Sequence, residues 1–162
     1  MDELLSERLV LRRLTVGDAA RIVTLLPESP DGWAEGYPSD VDVAVAQRFL
    51  NARVEHGDPG VFGPYEIRRR ADQVAVGGIG FHGPPDEARF VTVGYGLAPG
   101  VRGQGYAAEA LRALLELARA HGVAGAKGDA DLDNLASHRV MEAAGMRYVG
   151  EDERVRFYRV EF

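Results

Sequence analysis

Residues 99–111 read PGVRGQGYAAEAL. Gly103 and Gly105 stand just ahead of an alanine- and leucine-rich run with helical spacing. A helix start leaves backbone N–H groups unpaired at its positive end, and glycines let an anion come close to them. Within the stretch, GQGYAA also matches the short dinucleotide signature G-x-G-x-x-A. Both readings imply a pyrophosphate. The rest of the chain must say which one.

Ahead of the loop, VFGPYEIRR, QVAVGGIGF and ARFVTVGYGL read as strands, separated by turn residues such as Asp72 and Pro84-Pro85-Asp86. Connections this short make an antiparallel meander. SERLVLRRLT reads as an earlier strand. Thr15 with Asp18, and Ser39 with Asp42, are spaced as capping boxes for two helices. The first carries Ala19, Ile22, Val23 and Leu26; the second carries Val45, Phe49, Leu50 and Val54 and stops at Gly57. PESPDGWAEGYPSD between them reads as loop. After the glycine loop, Tyr106 to His121 is a strongly amphipathic helix ended by Gly122. A strand near Val123–Ala130, a helix capped by Asp133 or Asn134 and stopped at Gly145, and a closing hairpin complete the order.

This order predicts an α+β, mixed α/β domain over 1–162. It has about seven strands and four helices, and a central, mostly antiparallel twisted sheet with a parallel step only around the long helix. Such a sheet does not fit a dinucleotide domain. That domain needs two mononucleotide halves and a doubly wound parallel sheet, and its signature follows its strand at once. Here Ala98–Arg102 intervene. GDADLDN tests as a calcium loop and fails, because Asn134 and Val140 stand where Gly and Glu are required.

The 162 residues are 46% hydrophobic and 27% charged, with a net charge of −6 and no cysteine. Disulfides, thiolate metal sites and cysteine nucleophiles are thereby excluded. The acidic balance argues against a nucleic-acid partner and leans weakly towards a cationic or amine substrate. No apolar run is long enough for a membrane span, and the charged start lacks a signal-peptide core, so the expected compartment is the cytoplasm.

Arg102-Gly103-Gln104-Gly105-Tyr106-Ala107 also fits the pattern Arg or Gln, two residues, Gly, one residue, Gly or Ala. Here the chain resembles the GNAT superfamily of acetyl-CoA-dependent N-acetyltransferases. SERLVLRRLTVGDA, VGYGLAPGVRGQGYAAEAL and DNLASHRVMEAAGM are similar to the branch of ribosomal-protein N-terminal (RimJ/RimL-like) acetyltransferases. The resemblance spans nearly the whole chain and is weakest from Leu26 to Phe62. Met146 stands where that branch carries Phe.

The resemblance implies a bulged strand splaying from its parallel neighbour, with the pantetheine arm of acetyl-CoA in the gap. Gly94 and Gly96 would mark the bulge, or else relieve packing. It implies that Leu97 and Ala98 bind the cofactor, with the Leu97 backbone meeting the acetyl or pantetheine end and placed at the thioester carbonyl. Arg102, Gly103, Gln104, Gly105, Tyr106 and Ala107 would hold the pyrophosphate, mainly through main-chain N–H groups. Asn134 would hold the pantetheine region or act as a plain helix cap. Ser137 would protonate the departing thiolate or serve only the helix end. No metal is implied.

The implied reaction is direct attack of a primary amine on the thioester. The amine is a peptide N-terminus or a small molecule, and the protein acts as a monomer or homodimer. The sequence leaves the base open among Glu35, Glu66 and His82, since ARFVTVGYGL carries no acid. Trp33 and Tyr95 are candidates for the acceptor wall, and His138 is expected to face solvent or a neighbouring helix. A non-catalytic acyl-CoA-binding module and a dinucleotide oxidoreductase stand as alternatives.

Overall fold

The computed structural model describes residues 3–162; Met1 and Asp2, the start of the expected domain, lie outside the described residues. The elements are β1 (Glu3–Leu5), β2 (Leu9–Arg13), α1 (Val16–Thr24), α2 (Asp40–His56), β3 (Pro64–Arg69), β4 (Ala75–Phe81), β5 (Phe90–Leu97), α3 (Tyr106–Ala120), β6 (Gly125–Asp131), α4 (Leu135–Ala143), β7 (Arg147–Glu151) and β8 (Val155–Glu161). One eight-stranded sheet runs β1-β2-β3-β4-β5-β6-β8-β7. Every neighbouring pair is antiparallel except β5–β6, which is parallel. Among the described residues there is therefore no doubly wound sheet.

Both capping boxes form. Thr15 and Asp18 exchange side chain–backbone bonds at the start of α1, and Ser39 and Asp42 do so at α2. Two details differ from the sequence reading. The expected first strand is preceded by β1, which pairs Glu3 with Arg12 and Leu5 with Val10. This edge strand has 3 residues, too few for alternation to show. In α2 the buried positions are Ala46 and Phe49, whereas Val54 is 89% exposed. That helix is half-amphipathic, so counting apolar residues overstated its inner face.

The two sheet faces have different covers. Arg12, Glu66 and Gly78 share one face by register. Asp18 of α1 pairs with Arg12 at 3.6 Å, and Asp42 of α2 lies over Gly78. Tyr95 falls on the opposite face by the pleat, and it reaches Ser137 of α4. α4 packs beside α3, whose stripe of Ala110, Leu111, Leu114, Leu115 and Ala118 is buried. Leu9, Leu11, Ile67, Val76, Val91 and Tyr158 anchor the core. Among the described residues no helix is long and apolar enough to cross a membrane.

Candidate active site

The site begins where the parallel ladder stops. β5 pairs with β6 only through Phe90–Gly125, Val91–Ala126 and Thr92–Lys127, yet β5 runs on to Leu97. The sheet therefore splits beyond Thr92. Ladder geometry says what lines the split. The His82 N–H donates to the Thr92 carbonyl at 2.8 Å, and the Ala98 N–H donates to the Val76 carbonyl at 2.8 Å. Hydrogen-bonded and non-bonded pairs alternate in an antiparallel ladder. The intervening rungs Tyr95–Ile79 and Leu97–Gly77 are thus non-bonded, and the N–H groups of Tyr95 and Leu97 point away from β4, into the split. The Leu97 carbonyl accepts from the Arg102 Nε–H at 3.2 Å. Arg102 thus has a bracing role that its position in the glycine loop did not announce.

No register shift interrupts β4–β5 from Gly77–Leu97 to Phe81–Val93. The expected bulge at Gly94 and Gly96 is therefore not there. Gly94 instead makes room for His82, whose ring would collide with a Cβ at that position, and Gly96 opens on empty space.

The glycine loop continues from the split. Pro99–Val101 form a single 3₁₀ turn, and Gly103 and Gly105 take left-handed φ values of 81° and 82°. Thr15, Ser39 and Asn134 cap the other three helices with side chains, whereas Gly105 offers α3 none. The main-chain N–H groups of residues 103–108 have no acceptor among the described residues. This row of free donors at a helix start suits an anion.

Arg8 holds the loop in place, and no local pattern marks it out. Its NH1 donates to the Gln104 carbonyl at 2.9 Å, its Nε donates to Glu109 at 2.7 Å, and its guanidinium lies 4.5 Å from the Tyr106 ring centre. Glu109 also accepts from the Arg8 N–H at 2.8 Å and from the Ser6 hydroxyl. Burial alone pushes the Glu109 carboxyl up. The Ser6 and Arg8 bonds outweigh burial and leave it below its ordinary range.

On α4, the Asn134 Oδ1 accepts the Ser137 N–H at 3.2 Å, so Asn134 is the helix cap. The Ser137 Oγ and the Tyr95 hydroxyl lie 2.7 Å apart, and the Tyr95 hydroxyl also donates to the Ser137 carbonyl at 3.1 Å. Tyr95 thus bridges from the splayed strand to α4 instead of acting as acceptor wall alone. Burial pushes its phenol up, so the hydroxyl keeps its proton near neutrality. His138 does not face solvent. It is 3% exposed, stacks on Tyr158 with ring centres 5.8 Å apart, and places Nε2 2.8 Å from the Asp131 carbonyl. That carbonyl also accepts the Asn134 N–H at 3.0 Å, so the buried ring joins the turn from β6 into α4.

Over the opposite face lies a cleft of about 490 Å³. Gly78, Gly80, Gly94 and Gly96 share its side of the sheet by register and form a floor without side chains. His82 lies over Gly94, and Asp42 over Gly78. Asp42 was legible only as a capping residue. Of the three base candidates, His82 alone lines this cleft. Glu66 is 3% exposed and has both oxygens engaged, by the Tyr37 hydroxyl at 2.8 Å and the Arg68 Nε at 2.7 Å. Glu35 is exposed and borders neither this cleft nor the next. Trp33 is not in this cleft. It bridges to Ala75 and lines a separate depression of about 310 Å³ with Glu28, Asp31 and Glu66. Among the described residues no cluster of His, Asp or Glu could hold a metal ion.

A family model described as "Acetyltransferase (GNAT) domain" matches residues 8–147. The chain belongs to the GNAT acetyltransferase family. Solved structures agree in fold. An acetyltransferase from Agrobacterium tumefaciens is 26% identical, with TM-score 0.71, over 100% of this chain and 95% of that one. The ribosomal-protein-S5-alanine acetyltransferase from Vibrio fischeri is 16% identical, with TM-score 0.74, over 98% and 96%. Mycobacterium smegmatis RimJ, solved with a CoA-disulfide, is 22% identical, with TM-score 0.66, over 94% and 81%. A search of curated proteins finds no significant match. As a GNAT protein the chain is an acetyltransferase acting with acetyl-CoA.

Proposed function

We propose that this GNAT enzyme transfers the acetyl group of acetyl-CoA to a primary amine, by direct attack, in the cytoplasm. One observation carries the reading. The free N–H groups of Tyr95 and Leu97 in the split lead, through a single turn, to the free N–H groups of residues 103–108. The split suits a pantetheine amide chain, which pairs with backbone as a strand would. The loop suits the pyrophosphate that ends that chain.

The Leu97 N–H is the donor for the thioester oxygen, where charge develops during attack. Ser137, held by Tyr95, is the proton source for the departing thiolate. Both hydroxyls are neutral at working pH; Ser137 gives its proton to the thiolate and takes one from the Tyr95 hydroxyl, which solvent reprotonates. Asn134 serves as the α4 cap and, by the resemblance, as a contact for the pantetheine region. The acceptor arrives over the glycine floor from the α1–α2 side, opposite α3 and α4. Access from two sides lets acetyl-CoA and amine be bound together, as direct attack requires.

The test is release of free thiol from acetyl-CoA over a panel of free-N-terminus peptides, polyamines and other small amines. Amine-dependent release is expected. Tight acetyl-CoA binding with no release on any amine would make the protein a non-catalytic acyl-CoA binder instead.

A further inference from the structure

Asp42 closes the α2 capping box with one oxygen. Its Oδ2 accepts the Ser39 N–H at 2.9 Å and the Ser39 hydroxyl at 2.9 Å. Its Oδ1 has no hydrogen-bond or ion-pair partner among the described residues. That free oxygen hangs over the sheet, and a Cβ on Gly78 would lie 2.8 Å from it. Gly78 pairs with Gly96, which opens on empty space, and the next residue is Leu97, whose N–H enters the split. The carboxylate therefore stands about 5 Å, one strand spacing, from the point where cleft meets split.

The geometry points to Asp42 as the proton acceptor for the attacking amine, with its free Oδ1 receiving the cationic form of that amine at the mouth of the split. This rests on the acetyl-transfer reading above. One proton passes from the ammonium to Oδ1 and on to solvent through the open cleft. The freed nitrogen lone pair forms the C–N bond, the C–S bond breaks with its electron pair on sulfur, and the nitrogen loses its second proton. The thiolate takes up one proton, so one proton is released overall.

The surroundings agree. His82 is the other titratable side chain over the floor. It sits on the Gly80–Gly94 rung, about 7 Å farther from Leu97. The titratable groups lining the cleft with Asp42 are Tyr37, Arg48 of α2, Tyr65 of β3, His82 just after β4, Tyr95 of β5 and Arg102 after β5, with Glu66 behind the Tyr37 hydroxyl, while α1 contributes the apolar Ile22. Burial pushes the Asp42 carboxyl above its ordinary range, against the two Ser39 bonds, which makes it a better base near neutrality.

The experiment is the pH profile of kcat/KM for an amine that the wild type acetylates, in Asp42→Asn, Asp42→Glu and His82→Asn, with acetyl-CoA affinity measured alongside. Asp42→Asn is expected to lose about 100-fold or more in kcat/KM and the acidic limb of the profile, with acetyl-CoA affinity unchanged. Asp42→Glu preserves the capping box and is expected to keep the limb at reduced rate. His82→Asn is expected to keep the limb. If melting shows that Asp42→Asn does not fold, a folded Asp42→Glu with an unmoved profile and wild-type rate overturns the assignment. Wild-type rate and profile in Asp42→Asn, or loss of the limb only in His82→Asn, overturns it while leaving acetyl transfer intact. A wild type that transfers to no amine overturns both.

Discussion

Gly105 carries more than its size suggests. Its φ of 82° opens the turn, and it gives α3 a start without a side-chain cap. Gly105→Glu would put a carboxylate among the free N–H groups of residues 103–108, and acetyl-CoA binding should fall below detection by calorimetry. Unchanged affinity in a variant that still melts cooperatively would refute the loop assignment. Ser137 and Tyr95 form one unit, 2.7 Å apart. Ser137→Ala should lower turnover roughly 10-fold while sparing acetyl-CoA affinity. That is less than the usual acid contribution of about 10²–10⁴, because a thiol of pKa about 8.5 leaves readily. Tyr95→Phe should cost a similar amount, and the double variant should cost little more than either. Additive losses, or turnover untouched by Ser137→Ala, would show that the pair is structural.

At the element scale, the turn just before β2 is tied to α3 by a contact 101 residues apart in sequence, Arg8 with Glu109. The Glu109 carboxyl titrates below its ordinary range in the folded protein, so the unfolded chain binds its proton more tightly. Stability from this group is present above the ordinary glutamate pKa and drains away as pH falls through the lowered value. Glu109→Gln should cost about 2 kcal/mol at pH 7, or a Tm lower by about 6 °C. The gap should narrow as pH falls below the ordinary glutamate range and through the lowered value. A constant gap across pH would mean that the charge is irrelevant.

The same elements show what a sequence discloses. Capping boxes at Thr15–Asp18 and Ser39–Asp42, and the stripe of α3, are local patterns and were legible. So was the meander, because its turns are short. Arg8, Asp42 and the depth of His138 were not, since each depends on a partner far along the chain or on a different element. Asp42 shows the limit best. The capping pattern accounts for one of its oxygens, and only the packing of α2 over Gly78 exposes the other.

At the scale of the whole molecule, the sheet behaves as two halves, β1–β5 and β6–β8, joined by a short parallel ladder from Phe90 to Thr92. Beyond it the halves part, with α3 and α4 beside one face and α1 and α2 over the other. The family resemblance implied this split, and the ladder phase gives its chemistry by turning the Tyr95 and Leu97 N–H groups into it. The glycine motif alone never distinguished one pyrophosphate from another. The single parallel pair did, by denying a dinucleotide its doubly wound sheet.

The most direct measurement is an amide NMR titration with acetyl-CoA. The N–H resonances of residues 103–108 and of Tyr95 and Leu97 should shift together and saturate at one affinity, while NADH moves none of them. Saturable acetyl-CoA binding that leaves those amides unmoved, or the same shifts produced by NADH, would contradict the assignment of split and loop to acetyl-CoA.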